Sequence, residues 1–150
     1  SDDDCIKPLF LETYFNVLKK YPSMDIIYSA IEYCNDELQP ISQSRLSSVP
    51  GLVSGPERLK NYLISNHMVM SSIYRRNTFI KAGGWQAKYG TCLDGGAFAL
   101  MCTQSSQTFF IVEALFCFRL GFQTWSSYRV ENQKSMYQCF RIIIDDVMNW

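Results

Sequence analysis

The chain has 150 residues, a length typical of one domain, and 47% of them are hydrophobic, which excludes an intrinsically disordered chain. The 14 basic and 14 acidic side chains cancel, so no basic excess is present to neutralise a nucleic-acid backbone. No apolar run approaches the roughly 18 residues that a membrane-spanning helix needs.

The first part of the chain has the pattern of a helix, a strand, a long loop and a second helix. The first helix begins at Lys7 and ends at Tyr21, because apolar residues recur at helical spacing between them: Leu11, Tyr14, Phe15 and Leu18. An apolar run at residues 25–29 predicts a short strand. Residues 35–57 lack periodicity and are rich in Ser, Pro and Gly, which predicts a loop, and Pro56 is expected to start the next helix.

The second part contains six further predicted segments: a strand at 68–74, a helix at 77–82, a loop at 85–93, a helix at 97–102, a strand at 108–118 and a helix at 132–150. Gly83 and Gly84 are expected to stop the first of these helices. The long apolar strand is expected to be buried on both faces. The last helix is amphipathic, with one apolar stripe: Met136, Phe140, Ile143, Ile144 and Val147. The alternation of helices and strands indicates the α/β class.

Six cysteines are spread along the chain: Cys5, Cys34, Cys92, Cys102, Cys117 and Cys139. None of them forms a CxxC pair, so the sequence does not predict a zinc site. Scattered cysteines of this kind more often stay reduced, which favours a cytosolic protein. Cys117 lies in an apolar run and is expected to be a small buried hydrophobic residue.

The first motif with a chemical meaning is the acidic triplet Asp2-Asp3-Asp4. Three adjacent carboxylates repel one another, so they are either solvated or neutralised by a cation. On an extended backbone Asp2 and Asp4 point to the same side, and their hard oxygen ligands suit Mn²⁺ or Mg²⁺. A charged surface loop or the remnant of an expression tag is the alternative explanation.

Four further motifs follow the triplet in order: Ser72-Ile73-Tyr74-Arg75-Arg76, Ala82-Gly83-Gly84-Trp85, Leu93-Asp94 and Phe118-Arg119. This order resembles the family 2 glycosyltransferases of the GT-A fold. In that family a DxD-type motif closes the nucleotide-binding half, and an Arg-bearing strand leads to a Gly-Gly-aromatic turn. An acidic residue then starts a helix, and a late strand ends in Arg. The resemblance covers residues 1 to about 127 and implies a partial GT-A fold, a mixed sheet flanked by helices.

The resemblance implies how the nucleotide-sugar donor and its cation would be bound. Asp2 and Asp4 match the ends of the DxD motif and would bind Mn²⁺ or Mg²⁺, with Asp4 as the direct ligand. Asp2, Asp3 and Arg119 would contact the donor's ribose or diphosphate. Arg75 could meet the diphosphate as well, because a guanidinium group suits phosphate oxygens. The family often carries a His where this chain has Gly121, which puts a further contact from that loop in doubt.

The acceptor side of the site follows from the same resemblance. Asp94 matches the catalytic base, and it stands beside Gly95 and Gly96, where little side-chain bulk would block an acceptor. Without the resemblance, Asp94 would be interpreted as a helix N-cap, and only one acid is present where the family usually has an acidic pair. Gly83, Gly84 and Trp85 match the turn that walls the sugar and acceptor pocket. Trp85 could stack on a sugar ring or simply fill the core.

The domain organisation implied by the resemblance has two parts. Residues 1–130 would be the C-terminal half of a GT-A domain that starts at the DxD motif, and residues 131–150 a C-terminal amphipathic helix. Because the chain opens at Ser1 without a Met and stops abruptly at Trp150, we expect both ends to be cuts in a longer sequence. The missing N-terminal half, or a second copy in a homo-oligomer, would then complete the site.

The resemblance implies an inverting, metal-dependent transfer of a sugar from a nucleotide-sugar donor, a UDP-sugar first of all, to a hydroxyl of a glycan or lipid-linked acceptor. The expected setting is the cytoplasm, with peripheral association at the inner face of the membrane as an option, in polysaccharide synthesis for the cell envelope. Two alternatives stay open. One is a non-catalytic nucleotide-sugar-binding or scaffold domain derived from such a transferase, and the other is a metal-dependent phosphohydrolase built on the acidic triplet.

Overall fold

The computed structural model describes residues 4–43, 50–65, 70–120 and 131–150. These residues form six strands, five α-helices and one 3-10 helix around a single sheet. In chain order the elements are β1 (Cys5–Ile6), α1 (Phe10–Lys20), β2 (Ile26–Cys34), β3 (Pro40–Gln43), β4 (Gly51–Val53), α2 (Gly55–Ser65), β5 (Ile73–Tyr74), α3 (Arg76–Lys81), the 3-10 helix (Ala87–Cys92), α4 (Leu93–Gln104), β6 (Thr108–Arg119) and α5 (Glu131–Met148).

The centre of the sheet is the parallel pair formed by β2 and β6. Ile26 lies opposite Thr108 at one end of this pair, and Cys34 lies opposite Arg119 at the other. The remaining pairs are antiparallel: β1 and β4 pair with β6, and β3 and β5 pair with β2. The chain is therefore α/β with a mixed sheet flanked by helices, as the sequence predicts.

Two hydrophobic clusters cover the two faces of the sheet. Because successive side chains of a strand point to opposite faces, Tyr28 packs in the cluster formed with α2, α4 and α5, while Ile27 packs in the cluster formed with α1. Phe98 of α4 meets the ring of Tyr28 edge-on, at 5.5 Å between centroids. On the other face the rings of Phe10 and Tyr14 in α1 stack at 4.2 Å.

The predicted loop at residues 35–57 is wrong in part, because it contains β3 and β4. All four residues of β3 are exposed, so the strand has no apolar alternation to reveal it in the sequence. Its formation depends on the backbone of β2, where Ser42 lies opposite Tyr33. The predicted strand at 25–29 is also too short, since β2 continues to Cys34. Residues 44–49 of the predicted loop lie outside the described residues.

The predicted boundaries around α4 also differ from the structure. The stretch 85–93, predicted as a loop, contains the 3-10 helix, and α4 begins at Leu93 rather than at residue 97. Two consecutive glycines, Gly95 and Gly96, weaken the helical pattern in the sequence, yet both are buried inside α4. The predicted strand at 68–74 is reduced to Ile73–Tyr74 within its described part, residues 70–74.

The amphipathic pattern of α5 is confirmed only in part. Ile143 is fully buried, whereas Met136 and Ile144 of the predicted stripe are 40% and 45% exposed. The helix packs against α4 and the 3-10 helix of its own chain. The prediction that β6 is buried on both faces fails at its middle, where Val112 and Glu113 are exposed. Within the described ranges, no helix combines the length and the apolar character needed to cross a membrane.

Candidate functional site

The backbone of β6 ends against the side chain of Asp4. β1 pairs with the last part of β6, with Cys5 opposite Cys117, and this register brings Asp4 to the strand end. The Oδ1 atom of Asp4 accepts a hydrogen bond from the backbone N–H of Arg119 at 3.0 Å. The structure therefore brings together two of the residues that the sequence assigns to the donor site.

Two polar atoms at this junction are buried without a hydrogen-bond partner among the described residues. They are Oδ2 of Asp4 and Nε of Arg119. A buried carboxylate oxygen without a partner is costly, so native proteins normally supply one from the chain, from water or from an ion. Asp4 Oδ2 thus has the chemistry of one hard ligand for Mn²⁺ or Mg²⁺. Asp2 and Asp3, the other members of the predicted set, lie outside the described residues.

A depression opens next to Asp4. It has a volume of about 430 Å³ and is lined by Asp4, Cys5, Ile6, Met70 and Phe116. This volume lies within the range of small-molecule sites, roughly 300–1,000 Å³. Among the described residues that line it, Asp4 is the one with a charged side chain, and it stands beside apolar walls.

Asp94 lies in the first turn of α4. Its Oδ1 atom accepts a hydrogen bond from the backbone N–H of Gly95 at 2.8 Å. Burial raises the pKa of Asp94 above its ordinary value, although that hydrogen bond acts in the opposite direction. Burial and the charge of Asp94 both raise the pKa of the neighbouring Tyr62. A carboxylate with a raised pKa is a stronger proton acceptor, which suits a general base.

Gly95 and Gly96 allow two tyrosines to pack closely against α4. A Cβ atom built on Gly95 would lie 2.3 Å from Oη of Tyr62, and one built on Gly96 would lie 2.3 Å from Cδ2 of Tyr89. The space beside Asp94 is thus filled by Tyr62 and Tyr89. The expectation that these glycines leave room for an acceptor is wrong, because the missing side chains are replaced by aromatic rings of the core.

Asp94 makes no direct contact with the junction of Asp4 and Arg119. In the described part of the chain, no hydrogen bond or ion pair joins Asp94 to either residue. A shared site for the three residues therefore stays a prediction.

The predicted Gly-Gly-aromatic turn is present. Gly83 and Gly84 have φ angles of 87° and 65°, in the left-handed region that favours glycine, and they follow the end of α3. Trp85 packs edge-on against the ring of Phe79 at 5.2 Å between centroids and is still 54% exposed. Because Trp85 is this exposed, it does not fill the core. Stacking of its ring on a sugar stays a prediction.

Arg75 has structural contacts. Its Nε atom donates to the backbone oxygen of Met24 at 2.8 Å, and its Nη2 atom donates to that of Pro22. These bonds attach the start of α3 to the segment before β2. A contact between Arg75 and a diphosphate stays a prediction.

The structure reveals one cluster that sequence reasoning missed. The ligand atoms of Glu32, Cys34 and Cys117 all lie within 4.8 Å of one another. The spacing of Glu32 and Cys34 in the sequence is a signal for two of the three ligands, since residues two apart share a face of a strand. The contribution of Cys117 depends on the pairing of β6 with β2, which no local pattern reveals. The thiols make this cluster a poor site for Mn²⁺ or Mg²⁺.

None of the known protein-family models matches the chain, and no curated protein matches it.

Proposed function

We propose that the protein is a glycosyltransferase of the GT-A type, related to family 2, and that it provides the cation- and acceptor-binding part of the site. The observation that carries the proposal is the buried Oδ2 atom of Asp4, which has no hydrogen-bond partner among the described residues. Its Oδ1 atom binds the backbone N–H of Arg119, whose own Nε atom is also buried without a partner there. A carboxylate oxygen without a partner suits a divalent cation, and a guanidinium donor without a partner suits a phosphate oxygen.

Each residue has a defined task in this proposal. Asp4, together with Asp2, coordinates Mn²⁺ or Mg²⁺, and Arg119 donates to a phosphate oxygen of a nucleotide sugar, for which a UDP-sugar is the first choice. The bound cation offsets the negative charge that develops on the departing nucleoside diphosphate. Asp94 accepts the proton of the attacking sugar hydroxyl, and its raised pKa favours that step. A single displacement of this kind inverts the configuration at the transferred sugar.

The exposed turn of Gly83, Gly84 and Trp85 provides the wall for the acceptor, a glycan or a lipid-linked sugar. An aromatic face of this kind packs well on the apolar face of a sugar ring. The base-binding half of the donor site is supplied by a further segment or by a second copy of the chain. The proposed setting is the cytoplasm, at the inner face of the membrane when the acceptor is lipid-linked.

A non-catalytic nucleotide-sugar-binding or scaffold domain is the second candidate, and one observation favours it. The hydrogen bond between Asp94 and the backbone of Gly95 at the start of α4 is what a purely structural acid would make at a helix N-terminus. The tyrosines packed on Gly95 and Gly96 also leave little free space there.

The decisive experiment compares binding and transfer in the same variants. UDP binding is measured by calorimetry with and without Mn²⁺, and sugar transfer is followed as UDP release from a panel of UDP-sugars with glycan acceptors. We expect Asp94→Asn to bind UDP and Mn²⁺ as the wild type does while losing about 10²- to 10⁴-fold in transfer rate. Asp145→Asn, which alters an exposed acid of α5, is the matched control and should retain both properties.

The possible outcomes separate the two candidates. Binding of UDP with Mn²⁺ but no transfer by the wild-type protein would support the non-catalytic domain. Normal turnover by Asp94→Asn would remove Asp94 from the mechanism. Absence of any Mn²⁺ binding by the wild type, with or without UDP, would reject the cation site itself.

A further inference from the structure

Three neighbouring strands bring four ligand-type side chains together. Cys5 of β1 lies opposite Cys117 of β6, and Cys117 in turn lies opposite Glu32 of β2. Cys34, two residues after Glu32, ends β2. We call these four residues, Glu32, Cys34, Cys117 and Cys5, the thiol cluster. They come from distant parts of the chain, so the cluster exists only in the folded sheet.

The distances within the thiol cluster are close to those of a tetrahedral metal site. The Sγ atom of Cys117 lies 3.8 Å from Oε2 of Glu32, and the ligand atoms of Glu32, Cys34 and Cys117 all lie within 4.8 Å of one another. Ligands at zinc bond lengths, about 2.3 Å for sulfur and about 2.1 Å for oxygen, are separated by about 3.6–3.8 Å along the edges of a tetrahedron. Shifts of an ångström or less would therefore create the site.

Cys5 stands next to this set. Its thiol interacts directly with that of Cys117, and its side chain is partly exposed on a strand of only two residues. A short strand with a partly exposed thiol can adjust its rotamer at little cost, because few packing contacts oppose the movement. Cys5 can thus reach the fourth position of a tetrahedron whose other three corners are preformed.

We propose that Cys34, Cys117, Glu32 and Cys5 bind a thiophilic divalent cation, Zn²⁺. The site goes beyond the glycosyltransferase proposal and does not depend on it. It would tie β1 to β6 and β2 immediately next to Asp4, and so it would act as a structural clamp.

The chemistry of the cluster selects Zn²⁺ over the hard cations. Thiolates prefer zinc, whereas Mn²⁺ and Mg²⁺ prefer carboxylate, carbonyl and water oxygens. Lys7 binds Oε2 of Glu32 with Nζ at 2.8 Å, which orients the carboxylate as partners of zinc ligands commonly do. Burial raises the pKa of the Cys117 thiol, and zinc ligation requires cysteine as the thiolate. Binding of Zn²⁺ then releases the thiol protons to solvent.

Cobalt substitution tests this site directly in the wild-type protein. The protein is fully reduced with a phosphine, its six thiols are counted, and Co²⁺ is added. We expect one Co²⁺ per chain, a sulfur-to-cobalt charge-transfer band in the near ultraviolet, and loss of that band when one equivalent of Zn²⁺ is added. Zn²⁺ should also raise the Tm, because only the folded sheet assembles the ligands.

Variants locate the site. Cys117→Ala and Cys34→Ala should each weaken Zn²⁺ binding by more than about 100-fold, since loss of a mere outer partner already costs 10- to 100-fold. Glu32→Gln and Cys5→Ala should weaken it as well. Cys102→Ala is the matched control, because Cys102 is a fully buried thiol of α4 that does not belong to the ligand group found among the described residues.

Three results would overturn the proposal. The first is no Co²⁺ or Zn²⁺ binding by wild-type protein with all six thiols reduced. The second is a bound Co²⁺ without a sulfur band, which would indicate a site built from oxygen ligands elsewhere. The third is equal Zn²⁺ affinity in Cys117→Ala and Cys102→Ala. None of these results bears on UDP binding, so a failure here leaves the proposed transferase intact.

Discussion

Asp4 accepts a hydrogen bond from the backbone N–H of Arg119 at 3.0 Å, which joins the residue before β1 to the last residue of β6. This bond satisfies one carboxylate oxygen and leaves the other, Oδ2, buried without a partner in the described part of the chain. The Nε atom of Arg119 is likewise buried without a partner in that part of the chain. A cation bound at Oδ2 would be the partner that this oxygen lacks among the described residues. The first prediction tests this.

Replacing Asp4 with Asn should remove most of the Mn²⁺-dependent nucleotide binding. The amide can keep the hydrogen bond with Arg119 through its oxygen, but it has lost the charge that a divalent cation requires. We expect the affinity for Mn²⁺ in the presence of UDP to fall by more than about tenfold, measured by calorimetry. Asp36→Asn, at an exposed acid in the turn after β2, is the control. Unchanged Mn²⁺ affinity in Asp4→Asn would show that Asp4 is not a ligand.

Replacing Asp94 with Asn should stabilise the protein at neutral pH. Burial raises the pKa of Asp94 in the folded state. Asp94 therefore contributes fully to the free energy of unfolding below its unfolded-state pKa, about 3.9, where it is protonated in both states. This contribution is lost as the pH rises through the folded-state pKa. The neutral amide avoids that loss. In urea unfolding, the variant should have the higher free energy of unfolding at neutral pH, and the difference should vanish in acid. A less stable variant at neutral pH would mean that the charged form of Asp94 is favoured by folding.

The close approach of Gly95 to Tyr62 predicts a specific double-mutant effect. Gly95→Ala should lower the free energy of unfolding by about 1–3 kcal/mol, because its Cβ would lie 2.3 Å from Oη of Tyr62. In a Tyr62→Phe background the next atom is the ring carbon Cζ at 3.5 Å, an ordinary contact. The cost of the alanine should then nearly disappear, and its better helix propensity could even make it favourable. Equal costs in both backgrounds, measured by urea unfolding, would contradict the predicted contact.

Asp146 joins α5 to the 3-10 helix and should contribute to stability in a pH-dependent way. Its Oδ2 atom accepts from Oη of Tyr89 and pairs with Nζ of Lys88, both at 2.6 Å. Although burial acts to raise the pKa of Asp146, the hydrogen bonds from Lys88 and Tyr89 and the charge of Lys88 lower it overall. The stability that Asp146 provides is therefore present above the unfolded-state pKa and is lost as pH falls through the lower folded-state pKa.

We expect Asp146→Asn to cost about 1 kcal/mol of unfolding free energy at neutral pH and less in strong acid. Asp145→Asn, next to it on α5 but exposed, is the control and should change stability little at either pH. Urea unfolding at the two pH values checks both. A cost for Asp146→Asn that is the same at neutral and strongly acid pH would show that its charge is not involved.

Helices and the central strands were predictable because their periodicity is local. The apolar spacing of α1 and the apolar run of β6 identify the two elements, although Leu11 and Phe15 of the predicted α1 stripe and Val112 of β6 are exposed. The glycines after α3 indicate the left-handed conformation there. Edge strand β3 was missed because all of its residues are exposed and its hydrogen bonds come from β2. The start of α4 was missed because Gly95 and Gly96 lower the helix propensity of this segment. Their role is to let Tyr62 and Tyr89 pack closely against the helix.

The sequence by itself determined the α/β class, most of the helices and the central strands, the Gly-Gly turn and the residue types available for a donor site, because each depends on neighbouring residues. Only the tertiary structure decided that Asp4 meets Arg119, that Glu32, Cys34 and Cys117 converge, and that tyrosines occupy the space beside Asp94. Those facts depend on the register between strands and on helix packing, in which residues far apart in the chain meet. No pattern within a few residues encodes such meetings, since strand pairing is made by backbone atoms that every residue shares.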